Sequence, residues 1–180
     1  MAEYIGVKTG PTARIISFKN KNLDKFIVDN LTTEGLKQAV SDFKSGKLQA
    51  HYKSAAIPEK NDEPVKVVVG DNFDELVLND KYVLLEAYAP WCGHCKKLTP
   101  IYEELAQKLA GETDIVIAKM DATENEHPAM PVTGFPTLKL FKPNSKVGVN
   151  YDGDRSLKDL VKFLETQTGR AFEGIKSEDL

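Results

Sequence analysis

The stretch Tyr82-Val83-Leu84-Leu85-Glu86-Ala87-Tyr88 most constrains what this chain can fold into, because it is apolar on both alternations of a β-strand apart from one acid. A strand with one face in water alternates apolar and polar residues, whereas a strand covered on both faces reads as a continuous apolar run. The stretch therefore belongs in the middle of a sheet, with helices packed on each side. Cys92 to Ala110 follows at once, with Leu98, Ile101, Tyr102, Leu105 and Leu109 at helical spacing and Pro100 placed to kink the pattern.

The same alternation of signals continues around this pair. Val65 to Val69 reads as a strand and Asn72 to Leu78 as a helix; Ile115 to Met120 reads as a strand and Ala122 to Ala129 as a short helix. Thr137 to Phe141 and Val147 to Tyr151 form an antiparallel pair across Pro143-Asn144. Ser156 then opens a final helix with Asp159 as capping-box partner, a buried stripe of Leu157, Leu160, Val161 and Leu164, and a stop at Gly169. The fold class is α/β, a mixed sheet with helices on both faces. Upstream, Thr12 to Phe18 and Lys25 to Val28 read as a hairpin, bounded by Gly10-Pro11 and by the polar stretch from Lys19 to Asp24. A helix from Thr32 follows, carrying Leu36, Ala39, Val40 and Phe43 and stopping near Gly46. Strand, strand, helix is half a domain, so residues 1–50 are expected to have an incomplete or borrowed structure. Residues 51–64, rich in Lys, Glu, Asp, Ala and Pro, read as a linker or a draped peptide, and the chain as an excised piece of a longer one.

Charge excludes one class of function. Twenty-four basic and 27 acidic residues give a net charge of −3, spread along the chain, so no basic field marks a nucleic-acid partner. No apolar run reaches the roughly 20 residues of a membrane span, so membrane insertion is not expected.

Chemistry concentrates in Ala89-Pro90-Trp91-Cys92-Gly93-His94-Cys95-Lys96-Lys97, which holds both cysteines of the sequence. A helix beginning at Cys92 puts that sulfur among unsatisfied N–H groups at the positive end of the dipole, which favours thiolate and makes Cys92 the nucleophile. Cys95, nearly a turn later and expected deeper, keeps its proton until it resolves a mixed disulfide. His94, across Gly93, adds positive charge or a hydrogen bond to the thiolate, which stabilises the reduced form and makes the disulfide a better oxidant. A structural zinc site needs about four ligands, and His51, His94 and His127 offer no second pair at ligand spacing. Haem attachment requires His after the second cysteine, where Lys96 stands. A purely structural bridge across so short a loop would remove little unfolded-state entropy.

The segment Glu86 to Leu98 resembles the active-site segment of protein disulfide isomerases. The resemblance continues through Val65 to Phe73, Ile117 to Thr123, Gly134-Phe135-Pro136-Thr137-Leu138 and Tyr151-Asp152-Gly153-Asp154-Arg155, all similar to the catalytic a′ domain of that family. It implies a thioredoxin fold over residues 65–170, preceded by a truncated part of the non-catalytic b′ domain (1–50) and a linker (51–64), and followed by a tail (171–180). It also implies a cis peptide at Pro136 facing the cysteines, where a client strand can pair, and a carboxylate at Glu86 that takes the inner cysteine's proton. Lys119 would be the buried partner of Glu86, and Arg155 a loop arginine that lowers the pKa of Cys95. From the residues alone, strand alternation leaves open which face Glu86 takes, and Arg155 could equally be a solvated arginine at a helix start. Trp91, Val132 and Phe135 supply apolar surface that would serve catalysis or plain client binding.

The activity so implied is thiol–disulfide oxidation and isomerisation of client proteins, with no bound cofactor and with glutathione or an oxidase partner as redox source. Ser177-Glu178-Asp179-Leu180 resembles a rearranged retention signal, which implies the lumen of the endoplasmic reticulum. Two alternatives stand: a thioredoxin-like reductase, against which His94 between the cysteines argues, and a client-binding chaperone module.

Overall fold

The computed structural model describes residues 12–18, 24–172 and 175. The expected turn at Gly10-Pro11, most of the polar stretch after Phe18 and the retention-like tail lie outside them. The chain divides into two compact units, Met1–Lys53 and Ser54–Leu180.

In the first unit β1 (Ala13–Ser17) and β2 (Asp24–Val28) form an antiparallel hairpin. The helix α1 (Thr33–Lys44) starts where the Thr32 hydroxyl accepts the Gly35 N–H, at 3.1 Å. Phe43 of α1 meets Phe26 of β2 edge to face, with centroids 5.1 Å apart. No residue of α1 is buried: Leu36 and Val40 of its predicted stripe are 41% and 46% exposed, while Ala39 and Phe43 are half-buried.

The second unit is built on a five-stranded sheet in the order β3-β5-β4-β6-β7. Its strands are β3 (Lys66–Val67), β4 (Tyr82–Tyr88), β5 (Ile115–Asp121), β6 (Thr137–Phe141) and β7 (Val149–Tyr151). β3, β5 and β4 run parallel, and β6 and β7 are antiparallel to their neighbours. The apolar stretch Tyr82–Tyr88 is the central strand: Val83, Leu84, Leu85 and Ala87 are fully buried. On one face Leu84, Ile117, Leu138 and Leu140 pack with Leu98, Tyr102 and Leu105 of α3 (Gly93–Lys108) and with Leu160, Val161 and Leu164 of α4 (Leu157–Thr168). On the other, Val83, Leu85, Ala87, Met120 and Phe141 pack with Phe73 and Val77 of α2 (Phe73–Val77). Tyr102 is carried into the first face with its hydroxyl within hydrogen-bonding distance of two strand carbonyls, Leu84 O at 2.7 Å and Ala118 O at 3.1 Å. None of the described helices is long and apolar enough to cross a membrane.

Four expectations are corrected. Residues 122–129 form turns, not a helix: the Asp121 carboxylate takes the N–H and hydroxyl of Thr123, and the Asp121 carbonyl takes the N–H and side-chain amide of Asn125. Such local side-chain bonds offer the backbone an alternative to a helical ladder. The strand at Val65–Val69 shortens to β3 because the Val69 N–H turns to the Asn72 side chain, opening a 3₁₀ turn over Gly70–Asn72. The second strand of the last hairpin starts at Val149, leaving Val147 75% exposed. The capping box at α4 is half formed: the Ser156 hydroxyl accepts the Asp159 N–H, but the Ser156 N–H goes to Asp154, and the Asp159 carboxylate binds Tyr151 instead. Pro100 withholds a donor from the Lys96 carbonyl, yet α3 continues to Lys108. Residues 54–61 are tied to the second unit: Ser54 Oγ accepts from Asp71 N, Asn125 Oδ1 from Ala55 N, and Asn61 exchanges two bonds with Val67.

Candidate active site

β4 ends at Tyr88, and four residues later Cys92 caps α3. Its extended backbone (φ −74°, ψ 114°) lets the sulfur turn back over the first turn, where Sγ accepts the Cys95 N–H at 3.1 Å. The N-cap role usually falls to an oxygen; here it falls to sulfur. A disulfide joins Cys92 to Cys95, whose Cα atoms are 5.3 Å apart. Both are buried, at 6% and 3% exposure, so depth separates them less than expected. The asymmetry lies in the cap bond, which stabilises negative charge on Cys92 alone.

Around the pair sit the loops that follow β4 and precede β6. The Phe135–Pro136 peptide is cis, and Pro136 is buried. Phe135 packs against the cysteine cluster and meets Trp91 edge to face at 5.6 Å. Trp91 is 71% exposed, the largest apolar group the site presents to solvent. Gly93 and His94 are exposed on the first turn of α3, and no hydrogen bond among the described residues joins His94 to either cysteine. The contact expected of His94 is to the Cys92 thiolate, which exists only once the Cys92–Cys95 bond is reduced.

A titratable group lies on the face of β4 that α3 covers. Glu86 points to the face covered by α3, because it shares that face with Leu84, which packs on Tyr102. It is 3% exposed, and its Oε1 has no hydrogen-bond partner. Burial raises its pKa from 4.5 to about 7, against the pull of the positive charges on Lys119 and Arg155. Lys119 stands directly opposite Glu86 across β4 and β5. It is half-buried, not buried, and makes no ion pair with Glu86 within 4.0 Å among the described residues, a correction to the expected buried partnership. A cavity of about 10 Å³ is lined by Val65, Glu86, Thr99, Tyr102, Glu103 and Lys119, room for no more than about one water. Arg155 is half-buried, in the left-handed conformation (φ 65°), with its N–H on the Tyr151 hydroxyl at 2.9 Å. It is thus not a freely solvated arginine at the helix start.

The arrangement can hold a reactive sulfur at a helix N-terminus, a second sulfur within bonding distance and, in a cavity that Thr99 one turn beyond Cys95 also lines, a carboxyl group that gains or loses a proton near neutral pH. Thr99 and Tyr102 were not singled out as site residues, although a signal existed: they follow Cys95 by one and two helical turns, on the face that Cys95 shares. Among the described residues no group of three His, Cys, Asp or Glu side chains is placed to hold a metal ion.

The thioredoxin family profile matches residues 64–166. Over 178 residues the chain is 47% identical to protein disulfide isomerase-like 1-4 of Arabidopsis thaliana, covering 96% of this chain and 30% of that protein. It is 44% identical over 174 residues to a protein disulfide-isomerase of Ricinus communis (95% and 34% covered), and 43% identical over 159 residues to that of Drosophila melanogaster (86% and 32%). The chain thus spans about a third of the length of these relatives. Among solved structures, the first thioredoxin domain of mouse protein disulfide-isomerase A4 superposes with a TM-score of 0.52 at 36% identity, covering 62% of this chain and 84% of that one. Human ERp44 does so with a TM-score of 0.51 at 30% identity, covering 57% and 32%.

Proposed function

The chain belongs to the thioredoxin family, and from that premise we propose that it is a thiol–disulfide oxidoreductase and isomerase that forms and rearranges disulfides in client proteins through Cys92-Gly93-His94-Cys95. The observation that carries the reading is the bond between a helix-capping Cys92 and Cys95, together with a buried carboxyl group, titrating near neutrality, in a cavity that is also lined by Thr99, one turn beyond Cys95 on α3. The curated relatives that bear the name protein disulfide-isomerase support it.

In oxidation, a client thiolate attacks Cys92 Sγ. The Cys92–Cys95 bond breaks, a mixed disulfide forms, and Cys95 leaves as a thiolate that Glu86, when protonated, can neutralise. A second client thiolate then attacks the client sulfur of the mixed disulfide and expels Cys92 as thiolate; the client loses two electrons and the cysteine pair gains them. In isomerisation, the Cys92 thiolate attacks a wrong client disulfide, forming a mixed disulfide and releasing a client thiolate; another client thiolate then attacks the client sulfur of the mixed disulfide, forms the new client bond and expels Cys92 as thiolate, and ionised Glu86 can take the Cys95 proton when Cys95 must instead displace a stalled client. The exposed ring of Trp91, the Phe135 side chain and the loop at Pro136 form the surface that meets the client. Lys119 and Arg155 hold the Glu86 pKa down toward neutrality, where it can act in both directions.

Glutathione or an oxidase partner would reoxidise the pair, with no resident cofactor, in the lumen of the endoplasmic reticulum, which the tail Ser177–Leu180 favours by its resemblance to a retention signal. Residues 65–170 would be the catalytic domain and 1–50 part of a client-holding one. The test is refolding of a protein with scrambled disulfides: the chain restores its activity, and the Cys92→Ser/Cys95→Ser double variant does not. Equal rescue by the double variant would instead establish a chaperone module.

A further inference from the structure

In the first unit, the connection from β2 to α1 contains Asn30-Leu31-Thr32. An asparagine followed two residues later by Ser or Thr, with any residue but Pro between, is the acceptor sequence for N-linked glycans in chains that enter the secretory route. The sequence holds nine asparagines, and Asn30 alone meets this rule. A triplet of this kind arises readily by chance, so the case rests on what the folded loop does with its atoms.

Asn30, Leu31 and Thr32 are all exposed, as a bulky sugar requires. The two ends of the Asn30 amide are used differently. Its Oδ1 accepts the Thr32 N–H at 3.1 Å and the Thr32 hydroxyl at 2.7 Å, which closes an Asx turn. Thr32 in turn caps α1, its hydroxyl oxygen accepting the Gly35 N–H at 3.1 Å. A Cβ at Gly35 would overlap the Asn30 amide carbon and lie 2.5 Å from Oδ1, so the helix start closes on the carbonyl edge of the amide. Nδ2 makes no hydrogen bond among the described residues. Glycosylation replaces one hydrogen of Nδ2 and leaves Oδ1 an acceptor. The atom that holds the turn is therefore not the atom that reacts, and the turn and the cap survive attachment.

We propose that Asn30 is an N-glycan acceptor, modified when the chain enters the lumen of the endoplasmic reticulum. This rests on the lumenal address proposed above. The donor is an oligosaccharide carried on a polyprenyl diphosphate. Nδ2 bonds to the anomeric carbon of the first sugar, and the bond from that carbon to the phosphate oxygen breaks. The polyprenyl diphosphate leaves with the bonding pair, and the displaced Nδ2 proton goes to a base of the transferring enzyme. Nothing is oxidised or reduced.

The test translates the full chain behind a cleavable secretory signal in the presence of endoplasmic reticulum membranes and scores only the protease-protected product. Wild type should run as a slower band that peptide:N-glycosidase returns to the unmodified position. The same digestion in heavy-oxygen water should leave its label on residue 30, within the tryptic peptide 26–37. Asn30→Asp keeps the oxygen that closes the turn and removes the nitrogen, so it should lose the slower band completely while its helix cap is kept. Thr32→Ala should also lose the band, and Thr32→Ser, which retains the hydroxyl, should keep it. A protected wild-type chain without the slower band, or a slower band that persists in Asn30→Asp, overturns the proposal. Because the added signal supplies entry to the lumen, the acceptor and the address fail separately: a chain modified at Asn30 but secreted from cells would refute retention by the tail and uphold the acceptor.

Discussion

Replacing Glu86 by Gln should make the second unit progressively more stable than wild type as pH rises. The carboxyl is buried with one oxygen unpartnered, and its pKa is raised from 4.5 to about 7. Between those values the folded chain keeps a proton at Glu86 that the unfolded chain has released, so every step upward in pH favours unfolding. At about 1.4 kcal/mol per pH unit, the loss on crossing the whole interval is on the order of 3 kcal/mol. It is absent below the unfolded value and complete above the folded one. Gln brings its own cost, since its amide donors need partners in the same pocket, but that cost does not titrate. The quantity to measure is therefore the stability difference between variant and wild type at each pH, in which other titrations cancel. Urea unfolding of the oxidised chain, followed by the fluorescence of the sole tryptophan, Trp91, reads the second unit alone. The difference should climb by on the order of 3 kcal/mol between acid and alkaline ends. A difference that stays flat would mean that Glu86 is not a strained acid, and the assignment of its proton-transfer role would fall with it. The same variant should resolve mixed disulfides more slowly, since stability is gained by removing the group that moves the proton.

Further expectations concern the two sulfurs and the following helix. In the reduced chain the rate of iodoacetamide alkylation at Cys92 should titrate well below the roughly 8.5 of a free thiol; a midpoint at or above that value would remove the helix N-terminus from the explanation. Cys95→Ser should accumulate client mixed disulfides at Cys92, visible on non-reducing gels, while Cys92→Ser should trap none. Ser156→Ala deletes the cap of α4 and should cost about 1 kcal/mol in urea unfolding; no loss would mean that the Ser156 N–H bond to Asp154 alone holds the helix start.

Much of the catalytic unit is legible in the sequence because its signals are strong and agree with one another. Tyr82–Tyr88 is a strand with the predicted ends, since a run of that apolar density fits only the centre of a covered sheet. α4 starts at Ser156 and stops at Gly169, whose φ of 75° is the left-handed stop that glycine favours. The same density that locates β4 hides the face of Glu86: with both sides buried, alternation carries no information, and only packing on α3 decides it. Residues 122–129 fail for a different reason. Their apolar residues are sparse, and the side chains of Asp121 and Asn125 bind neighbouring backbone in a way no periodicity reveals. Tyr151 and Asp159 read as an ordinary strand end and a capping residue, and that the Tyr151 hydroxyl joins the Asp159 carboxylate to the Arg155 backbone is visible only in the folded loop.

The proposed activity requires that the Cys92–Cys95 bond be poised for donation to clients. Equilibration of the full chain with mixtures of reduced and oxidised glutathione measures this directly. The expected reduction potential lies near the roughly −180 mV of protein disulfide isomerases, and a value at or below the roughly −270 mV of thioredoxin would contradict disulfide donation and make the chain a reductant.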